Sequence, residues 1–409
     1  MNILFITLCK ISSIQERNIY TDLLRVFCKE GHNVYIMSPS DDKAMRRDVV
    51  VKEEQNSTLY IIKTGTVQKT NAIRKVYNMF LMEQIYEKVY QEYLRQTQID
   101  LILYSTPPIT LHKVIAYAKK NTDAITYLLL KDIFPQNAVD IGMMSMSGII
   151  YHTFRNLEKK IYEISDYIGC MSEANQEYII RNNPQIDKRR VGLSPNCLEI
   201  DQKKKVGGEE KKAIRKKYDI PIESRVYIYG GNLGKPQDIP YIIRCLKSIE
   251  NREDCYFIIC GNGTEYEKLK AYIKENLPKN INLISGLPHD EYDELVSACD
   301  VGLLFLDRRF TIPNFPSRLL SYMQFAIPVL ACTDRNTDVH QKIEEGKFGW
   351  WCASDTVENF KNKINEIQTL PLQTLENMGE NGWAFLKKNY DVRQQYKDIM
   401  EVFSEQRRI

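Results

Sequence analysis

No uninterrupted apolar stretch in this 409-residue chain approaches the ~18–20 residues that span a bilayer, so no transmembrane anchor is expected. The opening Asn2-Ile-Leu-Phe-Ile-Thr-Leu8 is too short for the core of a signal peptide and lacks a basic leader. It runs into Cys9-Lys10 with no small-residue cleavage site, and so reads as a first buried strand. The ten cysteines include no C-x-x-C pair and no Cys/His cluster at zinc spacing, which argues against a structural metal and for a reducing compartment, the cytoplasm. None of the five histidines is paired at ligand spacing, and no Asp-x-Asp motif occurs. A net charge of +3 is too small an excess for a general nucleic-acid binder, and no basic stripe interleaved with aromatics is present.

What is present is an alternation of strand and helix signals. A helix over Glu16–Glu30, with apolar Ile19, Leu23, Leu24, Val26 and Phe27 and with Gly31 as its C-cap, separates strands at Asn2–Leu8 and Asn33–Ser38. Further strands are expected at Leu59–Lys63, Asp100–Tyr104, Ala124–Leu130 and Tyr167–Met171. Helices are expected at Ala72–Leu94, after Pro107-Pro108, at Ile149–Ile164 and at Glu173–Arg181. Val191-Gly-Leu-Ser-Pro-Asn196 closes this half. Gln202–Lys217, with three consecutive lysines and Gly207-Gly208, reads as a solvated hinge feeding a helix. The alternation restarts with strands at Arg225–Tyr229, Cys255–Cys260, Ile281–Ile284, Val301–Leu306 and Pro328–Ala331, while Gly346–Trp351 reads as a turn. This is the pattern of an α/β protein with two doubly wound domains, residues 1–200 and 221–385, joined by a basic linker at 201–220. A last helix within 386–409 is expected to pack back on the first domain. Because ligands bind beyond the carboxyl ends of strands in such sheets, chemistry between two substrates held by facing domains is the natural expectation.

The stretch Val226-Tyr-Ile-Tyr-Gly-Gly-Asn-Leu-Gly-Lys235, followed by Pro236 and apolar Ile239, Ile242, Ile243, Leu246 and Ile249, reads as strand, tight loop and helix. Such a corner lets backbone N–H groups and a helix N-terminus converge on an anion, with Lys235 adding a full charge. Glycines after a strand serve equally as plain turn residues, and the spacing fits neither Walker A nor G-x-G-x-x-G. Gly261-Asn-Gly263 and Ser285-Gly-Leu-Pro288 follow the next two strands, and Ile312-Pro-Asn-Phe-Pro-Ser-Arg318 precedes a helix over Leu319–Phe325. Lys235 and Arg318 each read alone as surface charges. At strand ends beside three glycine loops they supply donors for a diphosphate, Arg318 with a bidentate fork.

Tyr229-Gly-Gly-Asn-Leu-Gly-Lys235, Ala298-Cys-Asp-Val-Gly302, Pro316-Ser-Arg-Leu-Leu-Ser-Tyr-Met323 and Ile327-Pro-Val-Leu330 resemble the donor-side motifs of the family 4 glycosyltransferases. Lys29-Glu-Gly-His-Asn-Val34, Asp132-Ile-Phe-Pro135 and Ser194-Pro-Asn196 resemble the N-terminal landmarks of the same family, in its bacterial O-antigen and capsular polysaccharide subgroup. The resemblance implies a GT-B fold, two Rossmann-like doubly wound domains facing each other across a cleft. It implies a retaining transfer of sugar from a nucleotide-sugar, with UDP the family-weighted base, to a lipid-linked glycan intermediate. Carried over residue by residue, Gly231, Asn232, Gly234 and Gly263 face the sugar and phosphates, and Lys235 and Arg318 neutralise the diphosphate. Asn314 and Ser317 belong to the donor loop, and Gly286 and Leu287 hold the base. Asp132 faces the reacting sugar, where a carboxylate orients or deprotonates an acceptor hydroxyl; an aspartate after a strand is also a common helix N-cap. No cofactor and no tightly bound metal are expected, only the nucleotide-sugar as donor.

The chain departs from the family at three places. The two glutamates of the donor loop are replaced by Pro313 and Ser321, the histidine before the aspartate by Lys131, and the first loop, Cys9-Lys-Ile-Ser-Ser-Ile14, has no glycine. These departures keep open a second reading, a catalytically silent GT-B protein that stabilises or targets a partner glycosyltransferase. Arg74, Lys75, Val76, Tyr77, Met79, Phe80, Leu81 and Met82 in the Ala72–Leu94 helix make either a core-facing stripe or a contact with an anionic membrane surface. His112 reads as a helix-surface residue or an acceptor contact, and His32 as a structural turn residue.

Overall fold

Runs such as Leu101-Ile-Leu-Tyr104 and Val226-Tyr-Ile-Tyr229 are buried along their whole length, as strands are in a parallel sheet covered on both faces. The computed structural model describes residues 1–64, 72–107, 109–200 and 202–408, apart from the side chains of 72–80. It divides into one unit of Met1–Glu199 with Asp391–Ile409 and a second of Ile200–Tyr390.

The first unit runs β1 (Asn2–Ile6), α1 (Ile19–Lys29), β2 (Asn33–Ser40), β3 (Val49–Glu54), β4 (Ser57–Lys63), α2 (Ala72–Val89), β5 (Leu101–Ser105), α3 (His112–Thr122) and β6 (Ile125–Leu130). It continues with α4 (Gln136–Asp140), α5 (Ile149–Ile164), β7 (Tyr167–Cys170), α6 (Glu173–Asn182) and β8 (Val191–Leu193). The strands lie in the order β3-β4-β2-β1-β5-β6-β7-β8, all parallel except β3, which is antiparallel to β4. Strand order reverses at β1, so the crevice between β1 and β5 is the switch point. There Thr7 Oγ1 and Ser105 Oγ are hydrogen-bonded at 3.1 Å.

The second unit runs α7 (Gly208–Lys217), β9 (Arg225–Gly230), α8 (Ile239–Lys247), β10 (Cys255–Cys260), α9 (Tyr266–Asn276), β11 (Ile281–Ile284), α10 (His289–Ser297) and β12 (Val301–Phe305). It then runs α11 (Arg318–Gln324), β13 (Val329–Thr333), α12 (Val339–Gly346), β14 (Gly349–Ala353), α13 (Val357–Gln368) and α14 (Leu372–Asn389), and the chain ends in α15 (Val392–Gln406). The sheet order is β11-β10-β9-β12-β13-β14, wholly parallel, with its switch point between β9 and β12. Tyr227 stacks on Phe257 at 4.7 Å within a core that also takes in Phe305 and Phe360.

Several local expectations are corrected. The first helix begins at Ile19, because Asn18 caps it by accepting from Tyr20 and Thr21 N while the Thr21 hydroxyl answers the Asn18 N–H. The Ala72–Leu94 helix leaves α geometry after Val89, Tyr90–Leu94 forming a π turn. The tryptophan pair belongs to the strand β14, not to a turn: Gly349 packs so closely on the backbone of Val329 that a side chain there would overlap it. The basic stretch after residue 201 is largely exposed and feeds a helix as expected, but it is also anchored: α7 inserts Arg215 against Asp300 (2.7 Å) beside Lys211 (2.5 Å), and Lys204 pairs with Asp293. His112 is buried beside Glu83, 3.2 Å away, rather than standing on a helix surface. Of the stripe weighed for membrane contact, Arg74, Lys75, Val76, Tyr77, Met79 and Phe80 lie outside the described side chains; Leu81 is exposed and Met82 buried. No helix among the described residues is long and apolar enough to cross a membrane.

Candidate functional site

β9 pairs with β10 at six positions but with β12 at only two, Tyr227↔Val301 and Ile228↔Gly302. Beyond them the two strands part, as they must where crossovers leave in opposite directions. Tyr322, on α11, fills the gap. Its ring covers Gly302, where a Cβ would strike it, and its hydroxyl lies 3.1 Å from Ile228 O and 3.0 Å from Leu303 O, bridging the parted strands. One turn earlier on the same helix stands Arg318. Its guanidinium carbon lies 4.8 Å from the centroid of Tyr229, and the group presses so closely on Gly231 (φ +120°) that any side chain at 231 would collide with it.

Arg318 has no counter-ion among the described residues, and its Nη1 has no hydrogen-bond partner. Its surroundings are Tyr229, Tyr292, Tyr322 and Cys260, all neutral at physiological pH because burial pushes these hydroxyls and the thiol upward. A half-buried cation facing π surfaces and no carboxylate is costly in the empty protein and is relieved by an anion.

The three glycine loops do come together. Gly231 N donates to Cys260 O (2.7 Å), Leu233 N to Asn262 O (2.8 Å), Gly261 N to Ile284 O (2.9 Å) and Glu265 N to Leu233 O (2.9 Å). The Asn262 amide reaches Gly286 N at 3.1 Å, and Leu287 N bonds the Cys260 thiol. Gly261 and Gly263 permit this approach, since a Cβ on either would overlap the backbone of Gly231 or Leu233. Gly261→Ala is therefore expected to cost ~1–3 kcal/mol of stability in urea unfolding by forcing the loops apart, whereas Gly208→Ala, with open space around it, stays within ~1 kcal/mol of the parent.

This packing corrects the picture of a phosphate cradle of free N–H groups. Gly231, Leu233 and Gly234 already donate, Gly234 N to Gln237 Oε1 at 3.2 Å, and the Asn232 side chain bonds the same oxygen at 3.1 Å. The N–H groups of Asn232 and Lys235 are left to offer. Nor does a helix N-terminus open near Pro236. Lys235–Gln237 is a single 3-10 turn, and α8 begins after Asp238, whose carboxylate accepts from Tyr241 N (3.2 Å) and occupies that end. Lys235 is exposed and pairs with no acid among the described residues. Asn314 gives its carbonyl to Thr337 Oγ1 (2.5 Å) while its Nδ2 has no partner, and Ser317 is exposed immediately before Arg318.

Asp132 belongs to the first unit, two residues past β6. Asn137 Nδ2 donates to its Oδ2 at 2.6 Å and Ile133 N also reaches it, but burial dominates and pushes the carboxyl up to about 6. It is not the N-cap of the following short helix, since Pro135 holds that position. Lys131 turns inward, its Nζ donating to Ser194 O (2.9 Å) and Pro195 O (3.3 Å), and burial lowers it to about 8. Gln395 of α15 bonds Ser194 Oγ and Pro195 O in the same knot, so Lys131 ties the segment bearing Asp132 to the Ser194–Asn196 loop. The tyrosines around Arg318 went unread in the sequence. Tyr322 falls four residues after Arg318, a helical spacing that does place the two on one face.

Residues 210–384 match the family described as Glycosyl transferases group 1. A Pseudomonas aeruginosa protein named "Probable glycosyltransferase WbjE" is 25% identical over 71% of this chain and 71% of its own length. Among solved structures, sucrose-phosphate synthase from Thermosynechococcus elongatus superposes with a TM-score of 0.76 at 14% identity, covering 99% of this chain and 98% of that one. The Anabaena protein HepE, in complex with UDP and glucose, gives 0.72 at 15% identity over 99% of this chain and 100% of its own.

Proposed function

Starting from a GT-B chain whose residues 210–384 match the group 1 glycosyl transferases, we propose that this protein moves a sugar from a UDP-sugar to a lipid-linked glycan intermediate of surface polysaccharide synthesis, with retention of configuration. The observation that carries the reading is Arg318, a guanidinium without counter-ion among the described residues at the switch point of the second sheet, among the loops after β9, β10 and β11. It meets the diphosphate, and Lys235 adds an exposed second charge. The Gly286–Leu287 backbone holds the base, with Asn314 and Ser317 as further polar contacts. Gly231 and Gly263 serve by having no side chain, which lets the loops close around the guanidinium. Leaving-group charge is then stabilised by a preorganised cation, and the mechanism needs no tightly bound divalent ion. Asp132 acts on the acceptor, orienting the attacking hydroxyl and taking its proton. Cytoplasmic placement at the inner face of the membrane follows from a lipid-linked acceptor.

The deciding measurement is a thermal-shift screen of nucleoside diphosphates and their sugars. UDP at about a hundredfold above its Kd should stabilise the protein by ~2.7 kcal/mol, and Arg318→Ala should remove that shift. Replacement of the donor-loop glutamates by Pro313 and Ser321 favours the second reading, a silent partner protein. Failure of every nucleoside diphosphate and nucleotide-sugar to stabilise the chain would select it.

A further inference from the structure

From the end of α4 into the first turn of α5 the first unit exposes apolar side chains without interruption by charge: Met143, Met146, Ile149 and Ile150 are 55%, 59%, 85% and 46% exposed. From Ile141 to Thr153 there is no Asp, Glu, Lys or Arg, and the spaces between the apolar residues are filled by Ser145, Ser147, Gly142 and Gly148. Ordinary surface loops do not gather such residues, because each leaves apolar area in water. The exposed side of α5 continues the patch. Ile149, His152, Thr153, Asn156, Lys159 and Lys160 are all exposed and fall within one arc of the helix, about a third of its circumference. Neither lysine is in an ion pair among the described residues, the one acid of the early turns, Glu158, is buried against Arg155 and Tyr162, and the first exposed acid is Glu163 in the last turn.

We propose that this surface, the 143–150 tip with the outward face of α5, docks on an anionic lipid bilayer. The occupant follows from two features. An uncharged tip whose most prominent residue is 85% exposed projects outward and suits insertion among acyl chains, and two unpaired ammonium groups further along the same face suit lipid phosphates. The tip is joined through the short helix α4 to the β6–α4 loop that holds Asp132, so the docking surface and the acceptor-side carboxylate lie on the same crossover of the first unit. This part of the inference rests on the lipid-linked acceptor proposed above and gives it a location on the protein.

The test is flotation of the full chain with phosphatidylcholine vesicles, with and without phosphatidylglycerol. The parent should float, and more so with the anionic lipid. Ile149→Glu/Ile150→Glu should lower partitioning at least about tenfold, and Lys159→Gln/Lys160→Gln should lose only the anionic enhancement. All four positions are exposed, so folding is not at risk, and the UDP thermal shift should be unchanged in both variants. Loss of the UDP shift in the parent would remove the donor reading and leave the docking result standing. A parent that does not float, a Glu variant that floats as well as the parent, or a dimer dissolved by Ile149→Glu/Ile150→Glu would each overturn the proposal.

Discussion

Arg318→Ala is expected to lower kcat/KM by about 30- to 1,000-fold, ~2–4 kcal/mol of transition-state stabilisation. The size of the effect comes from where the cation stands. No acid among the described residues shares its charge, its Nη1 is unpartnered, and its neighbours are neutral rings, so the interaction with a diphosphate is only partly screened by water and is not divided with a protein carboxylate. The same reasoning gives an opposite sign for stability. Arg318→Met, which keeps the stem and removes the charge, should leave the unliganded melting temperature unchanged or raise it, because an uncompensated charge no longer has to be enclosed. Loss of UDP binding with a gain or no change in apo stability separates a ligand-directed arginine from a structural one. Lys235→Ala should cost less, about 5- to 10-fold, since an exposed ammonium is solvated before and after binding. Turnover within a few-fold of the parent in both alanine variants would sink the diphosphate assignment.

Asp132→Asn should reduce kcat by about 100- to 10,000-fold, the range for loss of a positioned general base. The pH profile gives the sharper reading. With the carboxyl pushed up to about 6 by burial, the basic form dominates above pH 6 and is lost below it, so activity should fall about tenfold per pH unit on the acid side of 6. The Asn variant should lose that limb. The linkage has a fixed sign. A carboxyl whose native pKa lies above its unfolded value of 3.8 binds its proton more tightly in the folded protein, so the native state gains stability as pH falls from 6 toward 4. At pH 7 the buried carboxylate is a cost. Asp132→Asn should therefore stabilise the protein at pH 7, and that gain should shrink as pH is lowered through 6. An acid limb that persists in the variant would assign the titration to another group.

The two doubly wound sheets were legible because their strands are continuous apolar runs punctuated by glycine and followed by helical periodicity. Cys255–Cys260 needed nothing else. The edges were not. β3, Val-Val-Val-Lys-Glu-Glu, lies on the sheet margin with Val50 and Val51 exposed, and its pattern has no buried face to announce it. At the site, residue types pointed to Arg318 and the glycine loops, but hydrogen-bond accounting is a tertiary property. Nothing in Gly-Gly-Asn-Leu-Gly says that Cys260 O, Asn262 O and Gln237 Oε1 already hold three of its N–H groups. Lys131 was read only as the replacement of a histidine, and the sequence could not say where its charge goes: the loop at Ser194-Pro195 takes it inward on two carbonyls.

Phe27 of α1 packs edge-on to Tyr396 of α15 at 4.9 Å, His32 Nε2 bonds the Tyr396 hydroxyl at 3.0 Å, and Gln395 completes the knot at Ser194. The first unit thus closes with residues that lie beyond the whole of Ile200–Tyr390. On a ribosome adding about 5–20 residues per second, its sheet waits roughly 10–40 s for the helix that covers Phe27. During that interval the second unit, whose sequence is uninterrupted, emerges and is free to fold. Order of synthesis and order of completion are therefore reversed: the half made first is the half finished last.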